Sequence, residues 1–410
     1  MKIAMDKLCY IFSRAFDIIE EEQIGASEYH SMRIAALCAA MGKCMGYGDD
    51  AISAIVTCAL FHDNALTEHN LSIMEDTEYA RNMVLHCEKG QKNASWLPFK
   101  KNIDGYILYH HERGDGKGPF HKREGDFPFE AALIGVADAV DVTYHLQRVP
   151  DDGLAAIRDK IAAHPYIFST RTAVDILLEI LDEEMLFSLR DENIAPTLER
   201  SCPRWEADLH EPDIICAAEF IAHVIDCKSV FTRKHTSQIA NRSWLMAGYY
   251  GYEEVERAAL FIAASLHDIG KIAIPTEILE KPGRLNNEEF RIIKQHVRKT
   301  YEWLSHLPDA DLIRNWAADH HEKLDGSGYS FGKTGAELDF NARLIACLDI
   351  YQAVGEPRPY HGARTHEETM AILYDMAVKK LVDGEIAKDV DKVMCEYSMV
   401  EVPSPIDTMC

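Results

Sequence analysis

The chain has 410 residues, long for one compact core and sized for two or three domains. Hydrophobic residues make up 47% and charged residues 27%, ordinary proportions for a soluble globular protein. A formal charge of −24 disfavours a nucleic-acid polymer or a membrane surface as partner, yet leaves room for a small anion neutralised by a metal or a local basic group.

The first stretch, MKIAMDKLCYIFSRAFDIIEEE, is broken by charges and reads as an amphipathic helix without the apolar core of a signal peptide. Ala258–Leu266 is about the longest apolar run, far short of a membrane span. The expected location is cytoplasmic. None of the eleven cysteines forms a CxxC pair, and several, such as Cys58 and Cys347, lie in apolar stretches. Free, mostly buried thiols in a reducing compartment are expected, not disulfides or a zinc knuckle.

Further along, the chain repeats itself. The first half carries His30, His62-Asp63, His86, His110-His111-Glu112 and Asp138; the second carries His235, His267-Asp268, His296, His320-His321-Glu322 and Asp349. From the lone His to the His-Asp pair is 32 residues in both halves, and from the middle His to the His-His pair is 24 in both. The last interval is 28 against 29, and only the stretch from the His-Asp pair to the middle His differs more, 24 against 29. Flanking sequence agrees as well: HHERGDGKG matches HHEKLDGSG. Two copies of one domain, 1–195 and 210–410, account for this. The join is expected near Glu192–Pro212, which has three prolines and no sustained periodicity.

Both halves read as helical. Val255, Ala258, Ala259, Ile262 and Leu266 recur at three- and four-residue spacing, and Gly270 and Pro275 end that helix after the His-Asp pair. Similar runs occur at Asp213–Val230 and Glu367–Val378, and strand signals are scarce. The expected fold is all-α, two helical bundles in tandem.

In the second half, five histidines and two aspartates sit at or near predicted helix ends, where a bundle can converge them. Imidazole and carboxylate without thiolate suit iron, manganese or another borderline divalent ion better than structural zinc. A carboxylate can bridge two ions, which a single imidazole nitrogen cannot. Ions about 3.5–4 Å apart supply a deprotonated water and charge for the transition state of phosphodiester hydrolysis. Lys271, four residues after His267, is placed to hold a phosphate oxygen. His164, His210, His223, His306, His361 and His366 lie outside the repeat and are expected to be ordinary core or surface residues.

The motifs HDIGKIAIPTEIL, QHV, HHEKLDGSGYS, ARLIACLDIYQAV and RPY make residues 212–395 resemble the HD-GYP branch of the HD phosphohydrolase superfamily. The resemblance implies hydrolysis of a 3′,5′-cyclic dinucleotide, cyclic di-GMP or 3′3′-cyclic GMP-AMP. It implies one metal held by His235, His267, Asp268 and Asp349, and a second held by Asp268, His296, His320 and His321. It assigns catalysis to His267, Asp268 and Lys271, and substrate contacts to Lys271, Tyr329 and Arg358. It is compatible with a homodimer, and with a cyclase-type signalling partner meeting the loop at Gly328-Tyr329-Ser330.

The departures are specific. Ser330 replaces the proline of GYP, Gln352 replaces the second acid of DxxD, and Phe231 stands where members with a third metal carry glutamate, so two metals are expected. The first half keeps seven metal-type residues: His30, His62, Asp63, His86, His110, His111 and Asp138. It has Leu66 where the second half has Lys271, no tyrosine in HHERGDGKGPF, and only Arg148 left in the stretch matching RPY. Metal retention without catalysis is expected there; a packing copy or a second active site of different selectivity are the alternatives. For the whole chain, the competing functions are an HD hydrolase of deoxynucleotide triphosphates or an alarmone, and a module that binds nucleotide without cleaving it. The HHExxDGxGY and RPY motifs count against the first, the complete ligand set and Lys271 against the second.

Overall fold

A computed structural model describes residues 2–67, 76–97, 101–148, 153–208, 212–228, 234–356, 362–397 and 402–405. The fold is all-α, with one two-stranded ribbon among the described residues. Two compact units divide the chain: Met5–Trp205, and Glu206–Cys410 together with Met1–Ala4. The opening helix expected from residue 1 runs Met5–Ile24, because Lys2–Ala4 pairs antiparallel with Glu206–Asp208 of the second unit. The stretch read as an aperiodic join carries a helix, Asp191–Ser201, with Pro196 inside it. Its buried Ile194 and Leu198, four residues apart, give it an apolar face that outweighs the proline's missing N–H. No helix among the described residues is long and apolar enough to cross a membrane.

Each unit is built around a helix that begins on its lone repeat histidine. In the amino-terminal unit, His30–Cys44 is buried along almost its whole length and packs on Asp49–Leu60, Phe129–Tyr144 and Asp191–Ser201. In the carboxy-terminal unit, His235–Tyr249 packs on Glu254–Leu266, Phe340–Gly355 and Pro212–Cys227. Both start from a left-handed residue, Tyr29 at φ 61° and Lys234 at φ 66°. Such a backbone costs of order 1 kcal/mol in a non-glycine residue, and its recurrence in both copies marks a chain turned sharply to aim the histidine inward.

The Glu254–Leu266 helix opens with a reciprocal cap between Glu253 and Glu256 and buries an unbroken run from Ala258 to Leu266. It stops one residue before His267, and Ile269–Ala273 continues as a 3₁₀ turn. The His-Asp pair therefore lies at the helix end, and the helix stops before the pair and not after it, where Gly270 and Pro275 were expected to end it. Gly270 explains the switch: a Cβ there would fall 2.0 Å from the carbonyl oxygen of His296, so this backbone passes hard against the next ligand helix, Gln295–Leu304. The last ligands come from the Asp311–Ala318 helix end, which leads into His320-His321, and from Asp349 in Phe340–Gly355.

Candidate metal centre

In the carboxy-terminal unit the bundle gathers all seven repeat residues. Asp268 lies at the centre, with Oδ2 3.2 Å from Nε2 of His267 and 4.0 Å from Nε2 of His235. Its other oxygen, Oδ1, is 3.5 Å from Nε2 of His296 and 3.8 Å from Nε2 of His320. Asp349 sets one oxygen 3.1 Å from His235 Nε2 and the other 3.7 Å from His321 Nδ1. His235, His267 and Asp268 form one group of converging donor atoms and His296, His320 and His321 another, with the aspartates spanning them.

The protons on these rings are fixed from outside. Nδ1 of His267, His296 and His320 donates to the carbonyl three residues back, Ala264 at 2.7 Å, Ile293 at 2.5 Å and Ala317 at 2.7 Å. A carbonyl only accepts, so Nδ1 carries the proton and Nε2 presents a lone pair to the interior. Burial pushes His296 down to about 3 and His321 to about 4, which keeps these rings neutral. Burial would also lower His235, but its hydrogen bonds to Asp349 and Glu356 prevail and lift it to about 10. Burial alone would raise Asp268; the adjacent Lys271 and His267 hold it well below the carboxylate range.

The consequence is an electrostatic conflict. Nε2 of His296 and of His320 face each other at 3.5 Å, lone pair to lone pair. The buried Nε2 of His267 and Oδ1 of Asp268 have no hydrogen-bond partner. Buried polar atoms left this way are costly, and a cation among them removes the conflict at once. The donor set, nitrogen and oxygen without sulfur, fits divalent metal.

The amino-terminal unit repeats the arrangement. Asp63 Oδ1 is 3.0 Å from His86 and 3.4 Å from His110, while Oδ2 is 3.6 Å from His62. Asp138 lies 3.2 Å from His30 and 3.9 Å from both His62 and His111. His62 and His110 donate Nδ1–H to Ala59 and Ile107, again leaving Nε2 without a hydrogen-bond partner.

The surroundings of the two clusters differ. Lys271 donates to Asp268 Oδ2 and is 20% exposed, open to solvent at one side. Leu66 is buried at the matching place. In the carboxy-terminal unit the Tyr329 ring lies 4.7 Å from that of His321 and 6.3 Å from Phe290, with the Lys294 ammonium 5.0 Å from the Tyr329 ring centre. Sequence reasoning missed Phe290 and Lys294, which belong to no repeat motif. It also left unread the glutamate of each HHE. Glu322 accepts N–H bonds from Phe331, Gly332 and Lys333, and Glu112 from Phe120 and Lys122, so each pins the loop behind its histidine pair. Gly328 is needed there, since a Cβ would lie 2.5 Å from the Glu322 Cα.

Of the other histidines, His366 is bound between Tyr351 and Asp391, and His164 and His306 are exposed. Arg358, Phe231, His210 and His361 lie outside the described residues. None of the ten described cysteines is in a disulfide; five are buried, while Cys44 and Cys395 are exposed.

The HD domain family matches residues 219–386 and, separately, residues 28–143. Over 377 residues, 89% of this chain and 86% of the relative, the sequence is 29% identical to 3′3′-cGAMP-specific phosphodiesterase 1 of Vibrio cholerae. Over 159 residues, 38% of this chain and 41% of the relative, it is 36% identical to the cyclic di-GMP phosphodiesterase response regulator RpfG of Xanthomonas campestris. The fold is similar to that of a crystallised cyclic GMP-AMP specific phosphodiesterase of V. cholerae, with a TM-score of 0.66, 19% identity, and coverage of 96% of this chain and 98% of that one.

Proposed function

We propose that this chain, which belongs to the HD-GYP branch of the HD domain family, is a cyclic-dinucleotide phosphodiesterase whose catalysis resides in the carboxy-terminal unit. In this reading His235, His267, Asp268 and Asp349 hold one divalent metal ion, iron or manganese, and Asp268, His296, His320 and His321 hold the other. The observation that carries it is the pair of lone pairs facing each other between His296 and His320 at 3.5 Å. A metal pair, when bound, supplies a water of lowered pKa as nucleophile and positive charge opposite the phosphate.

The remaining work falls to side chains of this unit. Lys271 leaves Asp268 for a non-bridging phosphate oxygen, pairing a mobile ammonium with the charge that grows in the transition state. Tyr329 and Phe290 offer ring faces for a nucleobase beside the metal cluster, and Lys294 adds a cation at their edge. Arg358 contacts the ligand's phosphate or base. The amino-terminal unit, with Leu66 in place of lysine, retains metal without cleaving.

Among cyclic dinucleotides, 3′3′-cyclic GMP-AMP is the first candidate, because the relative that aligns over most of both chains bears that specificity in its name. Cyclic di-GMP is the second, on the shorter alignments. The test is cleavage of each, followed by chromatography, in protein purified anaerobically and assayed for metal. His267→Ala/Asp268→Ala is expected to abolish turnover and His62→Ala/Asp63→Ala only to reduce it. Turnover that survives the first pair would remove catalysis from the carboxy-terminal unit.

A further inference from the structure

Among the buried acids of the amino-terminal unit that lie outside the repeat motif, Glu20 is placed beside the repeat's own metal-type residues. Glu20, on the Met5–Ile24 helix, is 1% exposed, and a carboxylate oxygen of it lies within 4.8 Å of donor atoms of both His62 and Asp63. Ser31 Oγ reaches its two oxygens only in long contacts, at 3.2 and 3.4 Å. A second acid, Asp17, is buried one turn earlier and accepts the backbone N–H of Ser31 at 2.9 Å. A carboxylate enclosed beside another carboxylate is unfavourable unless a cation joins them. The unpartnered, fully buried Nε2 of His62 is part of the same group.

The carboxy-terminal unit offers the contrast. There the aspartate of the His-Asp pair, Asp268, is approached by the ammonium of Lys271. The matching aspartate, Asp63, has buried Leu66 at the lysine's place in sequence and is approached by Glu20. One cluster thus has an amine and the other a carboxyl group against the same member of the pair. An ammonium there attracts a phosphodiester and competes with metal; a carboxylate repels a phosphodiester and adds a metal donor.

We infer that Glu20 is an additional metal ligand of the amino-terminal unit, completing with His62 and Asp63 a site that takes a divalent ion such as manganese(II) and is closed to phosphodiesters. The inference rests on reading the amino-terminal cluster as metal-binding and adds to it a donor from outside the repeat. Two consequences separate it from a purely structural role for Glu20. The isosteric Glu20→Gln change keeps the shape of a side chain that is buried among other acids and removes only its ability to ionise, so the metal-free protein melts no lower than its parent. The same change weakens metal binding, so the rise in melting temperature on adding metal shrinks.

The experiment uses the full chain carrying His267→Ala/Asp268→Ala, so that uptake reports the amino-terminal cluster. The metal-free protein is titrated with manganese(II) alone, with and without Glu20→Gln, following bound metal and melting temperature. Expected is a loss of affinity of roughly tenfold or more, as for the loss of a supporting carboxylate, with helix content unchanged by circular dichroism. Equal affinity and an equal metal-dependent rise in both proteins would overturn the inference while leaving the cluster metal-binding. No uptake in either, and none lost on adding His62→Ala/Asp63→Ala, would overturn both. Should Glu20→Gln fail to fold, anomalous scattering from manganese(II) in crystals of the parent decides: an ion within about 2.5 Å of the Glu20 carboxylate supports the assignment, and one beyond bonding reach sinks it.

Discussion

Glu356 sets a carboxylate oxygen 3.1 Å from Nδ1 of His235, the place Asp141 takes beside His30 at 2.7 Å. The repeat aligns Asp141 with Gln352, not with Glu356, one turn further along the chain. Gln352 has become a support: its amide donates to Glu356 Oε1 at 2.8 Å, and its oxygen accepts from Arg242 Nε at 2.8 Å. In the amino-terminal unit Arg33 donates to Asp141 directly, at 2.9 Å. The carboxylate that braces the first histidine is thus kept while the residue supplying it moves by four positions. Such braces fix the ring's orientation and raise its basicity as a ligand.

Removing that brace should be felt at the metal. Glu356→Ala in the full chain is expected to lower manganese(II) affinity of the carboxy-terminal cluster by roughly 10–100-fold, and Glu356→Gln by less, since an amide still accepts the Nδ1 proton. Titration calorimetry on metal-free protein measures it. Unaltered affinity in both variants would mean that His235 needs no carboxylate behind it.

Lys271→Ala separates phosphate binding from metal binding. Losing a charge aimed at the reacting phosphate costs on the order of 100-fold in kcat. Metal content should hold or rise, because the ammonium beside Asp268 no longer competes. A parallel fall in metal and turnover would recast Lys271 as a residue that orders Asp268.

Glu322→Ala leaves three loop N–H groups without their acceptor. A hydrogen bond to a charged group contributes about 2 kcal/mol, and the expected loss in urea unfolding is at least that. KM should rise too, since Tyr329 sits on the freed loop. Unchanged stability with intact activity would show that the loop holds its place without the glutamate.

Gly270→Ala forces a methyl into the His296 carbonyl, 2.0 Å from where the Cβ must lie. Overpacking of this kind costs about 1–3 kcal/mol, and here the backbone that yields carries His267, Asp268 and His296. Metal affinity and turnover should fall together, read by calorimetry and the cleavage assay. Wild-type metal binding in a folded Gly270→Ala protein would refute the close-approach account.

Acid should weaken the metal-free protein in a defined window. His296 and His321 are held near 3 and 4 in the folded state, by burial first, against an ordinary value near 6.5. Below 6.5 the unfolded chain takes up protons that the folded chain refuses, so stability falls as pH drops from about 6.5 toward 4. His235, raised to about 10, is already protonated in the folded state while its unfolded counterpart charges as pH falls through 6.5, so this one group offsets part of the loss from His296 and His321 without reversing it; its contribution is full below about 6.5 and fades as pH rises toward 10. Chemical denaturation of metal-free protein at pH 7 and pH 5 tests the sign, and equal stabilities would contradict it.

The repeat made fourteen donors legible because its spacing is a property of the backbone: equal intervals between histidines and acids survive only if two stretches follow the same path. Helices followed from apolar periodicity at Glu254–Leu266 and His366–Val378, the second found within a residue of where the pattern put it. The helix end at Leu266 did not follow, since it depends on how closely Gly270 passes His296. Phe290 and Lys294 carried no motif, and only folding sets them beside Tyr329.

Residue type and spacing alone determined that this is a doubled helical protein with nitrogen and oxygen donors in two matched sets. Tertiary packing decided which oxygen of Asp268 faces which histidine, that Glu356 replaces Gln352 behind His235, and that Glu20 reaches Asp63 where Lys271 reaches Asp268. Periodicity reports which side of an element turns inward; a meeting of residues more than forty or a hundred positions apart depends on the angles at which whole helices cross, and no local pattern encodes those.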